Sequence, residues 1–281
     1  MQSPVRTATN KKRFVQRFFG VSAIYFGAIC VMMSLETTLL FPAPPTAYGN
    51  WLAEEFGAKD VLVPNGSDKV HTWVLKTTNA KTTLIFCHGN GESLGTLGWE
   101  LAMLRDKWQA NIVAFDYRGY GKTGGSPNES NILSDARCIG RWVQGHEDFR
   151  NQKLVVYGRS LGGAAAVEIA NAIQTDGLIL DRTFSSIVDV AASRYFFFPV
   201  RWVMRNQFKT IDKIATYHGH LLQWHGDRDE LVPIRFGKKL FDACPSTQKE
   251  FIQVPGLHHN DEWPTSIWQA GKKLLDAMVT P

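Results

Sequence analysis

The pentapeptide Gly158-Arg159-Ser160-Leu161-Gly162 follows directly on the apolar run Leu154-Val155-Val156-Tyr157 and leads directly into an alanine-rich stretch from Gly163 to Ala172. That context reads as strand, sharp turn and helix, with a serine at the apex of the turn. A serine so placed is forced into a strained backbone conformation that lifts its hydroxyl clear of the sheet. Glycines flank it because a Cβ would clash where strand and helix approach so closely. The pattern alone arises by chance in a chain with 24 glycines. The strand before it and the helix after it are what make Ser160 a candidate nucleophile.

The surrounding pattern places that turn in a parallel sheet. Asp60 to Val63 and Val70 to Leu75 are short strand-like runs separated by Pro64-Asn65-Gly66-Ser67, a predicted hairpin. Strand-like runs then alternate with helical ones. Thr83 to Cys87 precedes a helix over Leu94 to Lys107, and Asn111 to Phe115 precedes one over Ile132 to Gln144. Lys153 to Tyr157 leads into the Ser160 helix, and Gly177 to Asp181 follows. Leu221 to His225 precedes a helix beginning near Pro233, and Glu250 to Val254 precedes a last helix near Ser266 to Met278. An initial hairpin followed by this alternation predicts an α/β fold, an eight-stranded and mostly parallel sheet with helices on both faces. The stretch 182–219 has no strand pattern but holds Tyr195-Phe196-Phe197-Phe198 and Trp202, and reads as a short cap over the carboxyl edge of the sheet. Its aromatics suit an acyl pocket, contact with a membrane surface, or ordinary cap packing.

At 281 residues the chain is long enough for one large domain of this kind. Its net charge of +5 suggests an acidic partner until the charges are located. Arg6, Lys11, Lys12, Arg13 and Arg17 all precede the first apolar segment, and the rest of the chain is formally neutral without them. The excess is therefore a basic tail over residues 1–17 and not a face for nucleic acid. Behind it, Phe18 to Leu35 carries no charge. This length is near the lower limit for a helix spanning a bilayer, and longer than the apolar core of a cleaved signal peptide. Residues 18–40 read as a transmembrane signal anchor, with a cleaved signal or a buried helix as the alternatives. Basic residues prefer the cytoplasmic side, which puts the amino terminus inside and the domain over 41–281 on the extracytoplasmic side. Pro42, Pro44 and Pro45 form a stiff connector between the two. The four cysteines, Cys30, Cys87, Cys138 and Cys244, have neither zinc nor C-x-x-C spacing and read as free thiols.

A serine hydroxyl is a poor nucleophile near neutral pH and needs a histidine base, which in turn needs an orienting carboxylate. In a parallel sheet such groups come from loops at the carboxyl ends of strands. The acid candidates are Asp227 and Asp229 in His225-Gly226-Asp227-Arg228-Asp229-Glu230. Asp229 lies deeper in that loop and is the expected acid, Asp227 the expected turn stabiliser. The base candidates are His258 and His259, after the turn Pro255-Gly256, and spacing does not separate them. Two adjacent histidines also raise a metal reading, but no third ligand stands at a recognisable spacing. Two donors are needed for the oxyanion of a tetrahedral intermediate. The Leu161 amide follows the nucleophile, and His88-Gly89-Asn90-Gly91, after the strand Thr83 to Cys87, supplies a second from Asn90.

Taken together, these motifs and Asp116-Tyr117-Arg118-Gly119-Tyr120-Gly121 resemble those of the alpha/beta-hydrolase superfamily over Phe41 to Met278. The resemblance implies Ser160 as nucleophile, Asp229 as acid and His259, directly before Asn260-Asp261, as base. It implies Asn90 and Leu161 as oxyanion donors, no cofactor, and a supporting role for the Asp116 motif. His258 departs from the family, which more often has glycine there. With its anchor and short cap the chain looks closest to the membrane-tethered branch, which includes enzymes that remove fatty acyl groups from protein thioesters. The expected activity is therefore a serine hydrolase acting on a small acyl ester, a thioester or a lipidated substrate. A serine peptidase and a silent binding protein of the same fold are the alternatives. An aspartate would be expected in place of Ser160 for dehalogenase or epoxide-hydrolase chemistry. The oligomeric state is left open.

Overall fold

Eight strands form one sheet because nearly every residue in its central members is apolar and cannot be left in water. The computed structural model describes residues 5–279, with side chains from Arg13 onward. The strands are β1 (Ala58–Asn65), β2 (Asp68–Leu75), β3 (Thr82–Cys87), β4 (Asn111–Phe115), β5 (Lys153–Arg159), β6 (Gly177–Asp181), β7 (His220–Gly226) and β8 (Lys249–Val254). Their spatial order is β1-β2-β4-β3-β5-β6-β7-β8. β1 pairs antiparallel with β2, and β2 with β4, while every later pairing is parallel. The predicted eight-stranded, mostly parallel sheet is thus observed. The β1–β2 turn sits where Asn65-Gly66 invited it, with Gly66 at φ +65°.

Alternate residues of the central strands feed two cores. Ile85, Val113, Val156, Leu178 and Leu180 face one side, toward helices α3 (Glu129–Gly145) and α4 (Gly162–Ile173). Leu84, Ile112, Val155, Ile179 and Trp224 face the other, toward α2 (Leu94–Trp108) and the final helix over Thr265–Val279. β3 and β4 are buried along their whole length. That is what covering a parallel sheet on both faces requires.

Between β6 and β7 lie three short helices, α5 (Ile187–Arg194), α6 (Val200–Val203) and α7 (Thr210–Ile214), with no strand among them. They follow the carboxyl end of β6. Phe196 and Trp202 are exposed here. The remaining helices are α8 (Ile234–Ala243), between β7 and β8, and α9, the final one.

The first helix, α1, runs Val5–Leu40 and so passes without a break from the basic tail into the apolar segment. Its stretch Arg13–Leu40 is the one helix among the described residues long and apolar enough to cross a membrane by length and composition. Only 6% of its most apolar stretch is buried against the rest of the protein. A core helix would be mostly buried.

Candidate active site

Local packing explains the sequence around Ser160. The serine sits in the turn between β5 and α4 with φ +51°, the left-handed region that a side chain rarely adopts. Its strain is held from both sides: its N–H donates to the Asp181 carbonyl at 2.9 Å, and its own carbonyl accepts from the Thr183 hydroxyl at 2.7 Å. A Cβ on Gly158 would stand 2.4 Å from the Gly162 carbonyl oxygen, and one on Gly162 2.1 Å from that of Cys87. Those neighbours are backbone and cannot swing aside. Gly162→Ala is therefore expected to cost on the order of 3 kcal/mol through overpacking, read as a clear fall in melting temperature of the detergent-solubilised full chain. An unchanged melt would show that strand and helix can separate at no cost.

The structure brings Ser160, His259 and Asp229 together from three loops at the carboxyl ends of their strands. His259 Nε2 lies 3.1 Å from Ser160 Oγ, and His259 Nδ1 lies 2.7 Å from Asp229 Oδ2. An ionised carboxylate accepts only, so Nδ1 carries the proton and the Nε2 lone pair faces the hydroxyl. The Asp229 carboxylate is buried and the imidazole nearly so. Burial pushes the Asp229 carboxyl up. Hydrogen bonds from His225 and His259 and from the Val232 N–H outweigh it and hold the group well below the usual carboxylate range. It stays ionised wherever a histidine works as a base.

The two pairs that spacing left open differ in where their side chains point. His258 faces out, pairs with Glu230 at 2.9 Å and lies half-exposed. Asp227 accepts the Gly256 N–H at 2.7 Å and holds the turn before the histidines. Neither reaches Ser160.

The loop His88 to Gly91 abuts the serine turn, since the position of a Gly162 Cβ is 2.5 Å from the His88 carbonyl oxygen. Among the described residues the backbone N–H groups of Asn90 and Leu161 have no protein acceptor. The Asn90 side chain is fixed from both ends, donating to the Leu40 carbonyl at 2.6 Å and accepting from the Tyr120 hydroxyl. Tyr117 Oη donates to the His88 carbonyl at 2.8 Å, and Asp116 accepts the Leu94 N–H at 2.9 Å. The Asp116 motif thus braces this loop and the start of α2.

Three features went unread in the sequence. His225, which looks like an ordinary strand end, is a second partner of the acid. Its Nε2 donates to the Val232 carbonyl at 2.7 Å and stands 3.2 Å from Asp229 Oδ2. Arg159, beside the serine, is buried in ion pairs with Glu92 and Glu100. Glu92 also accepts the Gly89 N–H at 2.6 Å, which ties the serine turn to the Asn90 loop. Arg182, at φ +46°, pairs with Asp181 and donates to the carbonyls of His258 (3.3 Å) and Asp261 (2.8 Å). Burial pushes the Asp181 carboxyl up, but Arg182 and Arg159 together draw it down to about 2. For Arg159 the signal was its place inside the serine pentapeptide; for the other two no local signal exists.

A cavity of about 560 Å³ opens beside His259, lined by Glu92, Glu100, Arg159, Arg182 and Trp263 among others. Its walls are largely charged. An apolar cavity of about 320 Å³ lies between α1 and the helices α5 and α6.

Comparison with known proteins agrees with this architecture. Residues 78–217 match the sequence model of the family described as serine aminopeptidase S33. The alpha/beta hydrolase domain-containing protein WAV2 of Arabidopsis thaliana is 31% identical over 92% of this chain and 93% of its own length. An uncharacterized membrane protein of Saccharomyces cerevisiae is 30% identical over 72% of this chain and 73% of its own. Among solved structures, the Pyrococcus furiosus esterase Pf2001 superposes with a TM-score of 0.69 at 18% identity, covering 84% of this chain and 98% of that one. At that identity the likeness is one of fold.

Proposed function

We infer the activity from membership: the chain belongs to the alpha/beta-hydrolase superfamily, in its membrane-associated hydrolase-domain branch, and we propose that it is a serine hydrolase cleaving an ester or thioester of an acyl substrate. The observation that carries this is the continuous relay Ser160 Oγ, His259 Nε2, His259 Nδ1, Asp229 Oδ2. Ser160 Oγ attacks the acyl carbonyl as His259 Nε2 takes its proton. Asp229 holds the ring and stabilises the imidazolium. The oxyanion is received by the free amides of Asn90 and Leu161. His259 then returns the proton to the departing alcohol or thiol. Water, activated by the same nitrogen, attacks the acyl-enzyme and frees the acid and the serine.

In this reading residues 41–281 are the hydrolase domain with 182–219 as its cap, and 18–40 the anchor. The basic tail before the anchor supports a domain on the extracytoplasmic side, because basic residues prefer the cytoplasmic side. The acyl preference is supported by the anchor and by the exposed cap aromatics. A second reading, cleavage of a peptide bond, is favoured by the aminopeptidase description of the matching family. Ester and anilide forms of one acyl group tell the two apart.

The test is covalent labelling of the full chain in detergent by a fluorophosphonate. Wild type should label and Ser160→Ala should not. Labelling that persists in the variant, or a folded wild type that never labels, would remove Ser160 from the nucleophile's role.

A further inference from the structure

The hydrocarbon core of a bilayer, about 30 Å, takes about 20 helical residues. Counted from Phe18, the first residue beyond the basic tail, such a span reaches into the last turn of α1. Yet α1 meets the cap well before that. Tyr25 donates from its hydroxyl to the Phe197 carbonyl at 2.7 Å, and its ring stacks on Phe198 at 5.8 Å. A membrane that holds the span of α1 therefore also holds this end of the cap. Phe196, 82% exposed, and Trp202, 89% exposed, offer aromatic surface at this end, where Asp189 holds Arg201 and Lys239 in ion pairs.

Between the two surfaces lies the apolar cavity of about 320 Å³, within the range of small-ligand sites. Met32, Met33 and Leu39 of α1 face Tyr195, Val203 and Met204 of the cap across it. Its one charged wall residue, Glu36, is fully engaged. The Glu36 carboxylate accepts from the backbone N–H groups of Arg205 (3.0 Å) and Asn206 (2.8 Å) and from both their side chains. A paired, hydrogen-bonded carboxylate is the form in which a charge persists at such a depth. It also clamps helix to cap and keeps the cavity's two walls together.

Leu40, in the same cavity wall, gives its carbonyl to the Asn90 side chain at 2.6 Å. One wall residue of the cavity is thereby tied to the loop assigned the oxyanion. We propose that this cavity binds the fatty acyl chain of the substrate, received from the bilayer between α1 and the cap, with α1 as one wall of the binding site. The assignment rests on the hydrolase reading above. It makes the membrane helix part of substrate recognition, where a tether alone would leave the substrate preference of the domain unchanged.

The test compares p-nitrophenyl dodecanoate with p-nitrophenyl acetate on the full chain in nanodiscs. Val203→Trp fills the cavity from the cap side and Met32→Phe, a milder change, from the helix side. Either should lower the dodecanoate-to-acetate ratio of kcat/KM, Val203→Trp by at least about tenfold. Val203→Ala should raise the ratio for a longer ester. Ratios that stay at the wild-type value in variants that melt like wild type would overturn the acyl assignment. A wild type that cleaves neither ester and takes no fluorophosphonate would instead sink the hydrolase reading, and the acyl assignment with it.

Discussion

His259→Ala is expected to lower kcat by about 10³-fold or more, because the proposed roles of Ser160, His259 and Asp229 make them a triad, whose members act as a unit. His258→Ala is expected to stay within about threefold of wild type, since an exposed ion pair contributes little. The two residues are adjacent, yet only His259 Nε2 comes within 3.1 Å of Ser160 Oγ, while His258 turns to Glu230. Steady-state turnover of a p-nitrophenyl ester by the detergent-solubilised full chain measures both. The reverse outcome, activity lost in His258→Ala and kept in His259→Ala, would transfer the base to His258 and require the loop to rearrange when substrate binds.

Asp229→Asn should lower kcat by about 10³–10⁴-fold with little change in volume. The direction follows from which oxygen does what. Oδ1 accepts the N–H groups of Leu231 (3.0 Å) and Val232 (2.7 Å), so an asparagine must place its oxygen there. Its NH₂ then occupies the Oδ2 position, facing His259 Nδ1. Two donors cannot share that contact, and the ring is driven to the tautomer with its proton on Nε2, the nitrogen that must accept from Ser160. The backbone amides leave the asparagine no alternative flip. Fluorophosphonate labelling should slow in parallel with turnover. Turnover within tenfold of wild type would mean that His259 is held in its tautomer by something other than Asp229.

Both predictions draw on residues that were legible in the sequence because they sit on short loops after buried strands. The strands announced themselves as runs such as Val155-Val156-Tyr157 and Leu178-Ile179-Leu180, and the glycines around Ser160 marked a close approach. What spacing could not supply was direction. Adjacent histidines differ in where their side chains point, which is decided by the loop's backbone and by partners elsewhere in the chain. His225 was hidden for a related reason, because a histidine at a strand end looks alike whether it meets solvent or a carboxylate. The apolar segment gave away its length but not its neighbour. Glu36 near the end of a membrane-length helix gave no hint that it bonds Arg205 and Asn206, because a contact across 170 positions leaves no periodicity to read. The helix also begins at Val5, earlier than the apolar segment, since a basic stretch without proline or glycine has no reason to stop it.

Arg182 grips the histidine loop by main-chain oxygens, those of His258 and Asp261. A grip on the peptide backbone does not depend on which side chains the loop carries. The side chain at position 258 is thereby released from the task of aiming His259, which Arg182 shares with Asp227 at the turn and Asp229 on the ring. Variation at position 258, whose side chain here turns away to Glu230, is the kind such an arrangement tolerates. Directed evolution of the rim could therefore begin at position 258 with the base still held in register, and should leave position 182 alone.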